Sequence, residues 1–193
     1  GTPDEADATD EVTPEPEAPK PEKTYDPMEV QYDAYAVFGP AIDTSDEQWT
    51  EILELVETFA DMDAGAKQGR AGRNLDEFGF RAIPAIVNKM RDFELGTDEG
   101  YRLGYLFQGK MTELMNGINA GWESEKDENG LSVPRAHRYN RKVVETYLKT
   151  WTEVVEDPTR WIATAKLGQE KYVDQLEAYS IALANAGITE GDY

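Results

Sequence analysis

Residues 45–63 read SDEQWTEILELVETFADMD, and this stretch decides the fold class. Trp49, Ile52, Leu53, Val56, Phe59 and Met62 recur every three or four positions, the spacing that brings side chains to one face of an α-helix. Glu51, Glu54, Glu57 and Asp61 take much of the opposite face. Ser45 and Gln48 stand at capping-box spacing, so each can bond the other's backbone N–H. The pattern predicts an amphipathic helix over 46–63.

The same period governs the sequence on both sides. Residues 64–74 carry three glycines and three cations and read as a loop. Asn74, with Glu77 three positions on, caps a helix over 75–93 whose inner face is Leu75, Phe78, Ala82, Ile83, Ile86, Val87, Met90 and Phe93. Pro84 falls inside that segment. It removes one backbone donor and predicts a kink. Thr97 caps a third helix reaching 119, with Leu103, Leu106, Phe107, Met111, Leu114 and Ile118 inward and Gly100, Gly104 and Gly109 along it. Glycines inside a helix cost propensity and signal close packing. A polar loop over 120–133 leads to Pro134, which starts a helix reaching Glu156. Asp157-Pro158 ends it. Short helical periodicity follows through Trp161, Ile162 and Ala165, then again over 169–186, closed by Gly187. Upstream, residues 25–43 read either as a short helix begun at Asp26-Pro27 or as an irregular aromatic strap. Strand signals are scarce. The expectation is an all-α domain over 25–193, either a bundle of five to six helices or a short helical stack.

Within this domain, Gly79-Phe80-Arg81-Ala82-Ile83-Pro84-Ala85-Ile86-Val87 followed by Tyr101-Arg102-Leu103-Gly104-Tyr105-Leu106 resembles one HEAT-type helical repeat. The likeness lies in an Ala-x-Pro-x-apolar first helix and a small-and-apolar second one. It covers residues 75–118, less than a quarter of the chain, with no second copy at a fixed period. HEAT proteins are generally scaffolds for other proteins, so the resemblance implies a protein-binding role.

Residues 1–24 differ from everything after them. Five of the ten prolines lie there, and eight acidic residues face only Lys20 and Lys23. Such a segment cannot bury enough apolar surface to offset the entropy of ordering, so it reads as a disordered, polyproline-like acidic tail. Tails of this kind often follow the export signal of secreted or membrane-anchored bacterial proteins, and they set the expectation of a periplasmic or secreted location.

The whole chain has 39 acidic residues against 19 basic ones, a formal charge of -20. Nucleic-acid phosphates and anionic membrane surfaces repel such a chain, and no nucleic-acid partner is expected. With no cysteine there are no disulfides and no thiolate chemistry. No apolar run is long enough to span a membrane.

Catalytic patterns are missing. His137 is the only histidine, too few for an ordinary His-based zinc site, and no Gly-x-Ser-x-Gly elbow accompanies it. It reads as structural. The acidic turns at 61–65 and 125–130 lack the closing Glu of a calcium loop. The expectation is therefore no enzyme, no cofactor and no metal site. Two basic groups remain. Lys67, Arg70 and Arg73 lie in the glycine-rich segment and form a candidate anion-contact loop. Arg135, Arg138, Arg141 and Lys142 lie where a helix begins, a position that ordinarily favours acids, and form a candidate docking patch for an acidic protein surface. The function expected is a structural or accessory subunit that docks on other proteins. The alternative is a module that binds a small ligand or divalent ion in a pocket between helices, lined by Trp49, Trp151 or Trp161.

Overall fold

In a computed structural model of the chain, the described residues are 32, 35–115 and 121–157. They are built from α-helices: α1 (Asp46–Ala60), α2 (Ala66–Phe78), α3 (Ile83–Met90), α4 (Asp98–Leu114) and α5 (Pro134–Glu156), with a 3-10 turn at Gly79–Ala82 between α2 and α3. No strand occurs among the described residues; a single antiparallel bridge joins Lys126 and Ser132. The tail at 1–24 and the helices expected beyond 158 lie outside the described residues.

The all-α class is as the periodicity predicts. Ser45 and Gln48 form the capping box of α1, and the Thr97 hydroxyl accepts from the Gly100 N–H at the start of α4. α5 runs over the predicted span. The centre of the core is Ile52 and Val56 of α1, Leu75 of α2, Ile83 and Ile86 of α3, Leu103, Phe107 and Met111 of α4, and Val144 and Leu148 of α5. α1 packs on α2 and α3, and α4 packs on α3 and α5. The inner face of α1 is narrower than its sequence suggests, because Leu53 and Met62 are exposed and Ala60 is buried.

The expected loop at 64–74 is instead the body of α2. Gly65, at φ 57°, opens it, and Gln68, Ala71 and Leu75 are buried at helical spacing. Gln68 is the missed signal. Its Nε2 donates to the Phe59 and Asp61 carbonyls at 2.9 and 3.3 Å and so caps the end of α1. Asn74 lies within α2 and caps nothing. The helix predicted over 75–93 is divided at Gly79, whose φ of 54° is incompatible with a continuing right-handed helix. Pro84 therefore kinks nothing. It sits in the first turn of α3, where a missing N–H leaves no bond unmade.

Residues 35–43 take the strap form of the two expected, with no helix. The strap crosses α3 and α5 and is held at both ends. Asn88 bonds the Phe38 backbone, while Arg81 donates from Nε to the Asp43 carbonyl and from Nη2 to its carboxylate, each at 3.0 Å. Arg91 Nη1 donates to the Tyr32 and Tyr35 carbonyls.

Candidate functional site

The basic residues singled out in α5 do not all share one surface. At about 100° per residue, Arg138 and Lys142 fall within about 60° of Arg135, whereas Arg141 is rotated about 120° away toward the core side. Arg135, Arg138 and Lys142 are accordingly exposed, and Arg141 is buried. Arg141 therefore drops out of the docking patch. Arg135 is committed locally. Its Nη2 lies 2.6 Å from Glu125 Oε2 and 3.7 Å from Glu123 Oε2. The bond to Glu125, reinforced by the charge of Glu123, raises the guanidinium above its ordinary value.

The glutamates belong to the segment 121–133, which is more ordered than a plain polar loop. Asp127 Oδ1 accepts from the N–H groups of Asn129 and Leu131, Gly130 turns the chain at φ 75°, and the Asp127 N–H returns to the Leu131 carbonyl at 2.8 Å. Asn140 ties this turn to α5. Its Oδ1 accepts the Glu123 N–H at 2.9 Å, and its Nδ2 donates to the Glu123 carbonyl at 2.8 Å.

Fixing Glu123 places its neighbour, Trp122, on α4. The indole meets Tyr101 and Tyr105 edge-on, with ring centroids 5.6 and 6.1 Å apart. Gly104 makes this possible, since a Cβ there would stand 3.0 Å from Trp122 Cη2 and 2.8 Å from Leu95 Cδ1. Lys126 Nζ lies 5.4 Å from the centre of the Tyr101 ring. On the α5 side, the Tyr139 hydroxyl approaches Gly121. Tyr105 is 57% exposed and Tyr139 38%. The result is a continuous surface with an aromatic half, Tyr101, Tyr105, Trp122 and Tyr139, beside a basic half, Arg135, Arg138 and Lys142.

Sequence reading missed Trp122 because it stands in a stretch with no period. The available signal was the pairing of Gly104 with Tyr101 and Tyr105 at i−3 and i+1, a helix notched where its neighbours are aromatic.

Lys67, Arg70 and Arg73 lie on the exposed side of α2 rather than in a loop. The N–H groups of Lys67 and Gln68 donate to the Ala64 and Gly65 carbonyls, so the cradle of free amides that the loop reading required does not form there. His137 is buried on the inner side of α5, consistent with a structural placement. Among the described residues no three His, Asp or Glu side chains converge as metal ligands, and no helix is long and apolar enough to cross a membrane.

The chain matches no protein-family model, no curated protein and no solved structure.

Proposed function

We propose that this chain is a non-enzymatic accessory subunit that docks on an acidic surface of another protein, through the aromatic and basic face of α4, the 121–133 turn and the first half of α5. The observation that carries this reading is the juxtaposition of exposed Tyr105 and Tyr139 with Arg138 and Lys142 on a scaffold pinned by Asn140. Tyr, Trp and Arg dominate binding energy at protein interfaces, because each joins a large apolar contact area to a polar handle. A cationic face on a chain of charge -20 also has a steering role, since it is the face an acidic partner can approach. The HEAT-like resemblance of residues 75–118 supports the same class of function by analogy, and the tail composition supports an exported setting.

The test is cross-linking mass spectrometry of the intact chain in its native source, set beside Tyr105→Ala/Tyr139→Ala and Arg138→Glu/Lys142→Glu chains. A partner cross-linked through Lys126 or Lys142 in the wild type, lost in the aromatic double variant at unchanged thermal stability and weakened by salt, is the expected result. Equal recovery by all three chains would remove this face from the function.

A further inference from the structure

A cavity of about 150 Å³ lies beneath the strap, between the 3-10 turn, α3 and the end of α5. Its walls are Phe38 and Ile42 from the strap, Phe80 and Pro84 from below, and Trp151 and Val154 from α5. Packed interiors hold few voids larger than a water molecule, so an apolar space of this size is a feature in itself. Water gains little there, because a buried water needs two to four polar partners. Cavities of about this volume lined by aliphatic and aromatic side chains are known to stay dry and to admit a single benzene ring.

Two further observations make the cavity a built site rather than a packing defect. The strap that roofs it is clipped at Phe38 by Asn88 and at Asp43 by Arg81, so the roof is held at both ends while residues 39–42 span the gap. Trp151, at 3% exposure, lines the cavity, and its indole Nε1 is buried with no hydrogen-bond partner. A donor already stripped of water meets an incoming acceptor without a further desolvation cost. One side of the cavity opens past Val155, which is 48% exposed and gives a route in.

We propose that this cavity is a binding site for a small single-ring aromatic molecule carrying a hydrogen-bond acceptor, with the ring among Phe38, Phe80 and Val154 and the acceptor taking the Trp151 indole N–H. The closed roof and one-ring volume exclude an extended peptide. The site is separate from the docking face of α4 and α5 and stands whether or not that face binds a protein.

The experiment titrates phenol, then toluene, into the ¹⁵N-labelled full chain. The Trp151 indole resonance is assigned by its absence in Trp151→Phe. Saturable phenol binding that moves this resonance is expected. Val155→Trp, which fills the mouth from an exposed position, should weaken binding by at least about tenfold at unchanged melting temperature. Ala41→Trp, which fills it from the strap, should do the same and stands in should Val155→Trp fail to fold. No saturable binding of phenol overturns the proposal. So does binding that leaves the Trp151 resonance unmoved, or that survives both filling substitutions.

Discussion

Asn88 holds both polar groups of the Phe38 backbone: its Oδ1 accepts the Phe38 N–H at 2.9 Å and its Nδ2 donates to the Phe38 carbonyl at 2.7 Å. Asn140 does the same for Glu123 at 2.9 and 2.8 Å. In both cases a segment outside the helices is stitched to a helix by one carboxamide, whose donor and acceptor match those of a peptide group. Replacing Asn88 by Ala leaves two partly buried backbone groups to find water, at a cost of about 1–3 kcal/mol. Urea denaturation should show the midpoint falling by that equivalent while far-UV helicity is kept. A midpoint equal to wild type would mean that the strap contributes nothing to stability.

Gly100 and Gly109 look equivalent in sequence, yet they differ in space. A Cβ on Gly100 would overlap the Glu94 carbonyl oxygen, whereas one on Gly109 meets nothing within 4 Å. Gly100→Ala must push the 91–97 turn off the start of α4 and should cost about 3 kcal/mol. Gly109→Ala should instead stabilise by up to about 1 kcal/mol through helix propensity. Thermal melts of the two variants should move in opposite directions.

Lys110 is buried to 2% exposure, and its ammonium reaches Asp76 at 2.6 Å and Glu113 at 3.6 Å. Lys110→Met keeps the aliphatic stem and removes the need to desolvate a charge, so its stability should lie within about 1 kcal/mol of wild type. Asp76→Ala strands the ammonium beside the weaker partner. Because Asp76 is 61% exposed, the loss should be about 2 kcal/mol rather than the larger figure of a fully buried pair. Chemical denaturation that ranked the two variants in the reverse order would contradict this account.

Stability should fall in alkali. Burial raises the Tyr35 hydroxyl, and the Glu145 carboxylate raises it further. At Lys89 burial pulls the ammonium down, but the bonds from Glu57 and Asp92 outweigh it and leave the group above its ordinary value. Both folded-state values exceed the ordinary ones, 10.0 and 10.5, so the folded chain holds more protons than the unfolded chain in that range. The stabilisation is complete below about pH 10 and is lost as pH climbs through the raised values. The urea midpoint should be lower at about pH 11 than at about pH 9, and Tyr35→Phe should lessen the drop. A flat profile for the wild type would refute the linkage.

The helical class, the Ser45 and Thr97 caps and the span of α5 were legible in the sequence, because each rests on contacts within one turn or on a period that repeats along one segment. The reading of 64–74 as a loop failed. Glycines and cations masked the buried trio Gln68, Ala71 and Leu75, and only the end of α1 supplies the carbonyls that give Gln68 its place. Pro84 and Gly79 show the same limit. Sequence marks an interruption, but whether it becomes a kink or a new start depends on the backbone angle Gly79 adopts between packed helices.

What the sequence determined by itself was the class of the fold and which segments coil, since helix periodicity and capping are local. Tertiary structure decided that Arg141 turns inward while Arg138 and Lys142 face out, that Trp122 lies in the notch at Gly104, and that the strap roofs a cavity beside Trp151. Those relationships join residues far apart in the chain, and no local pattern encodes a distance that only packing sets.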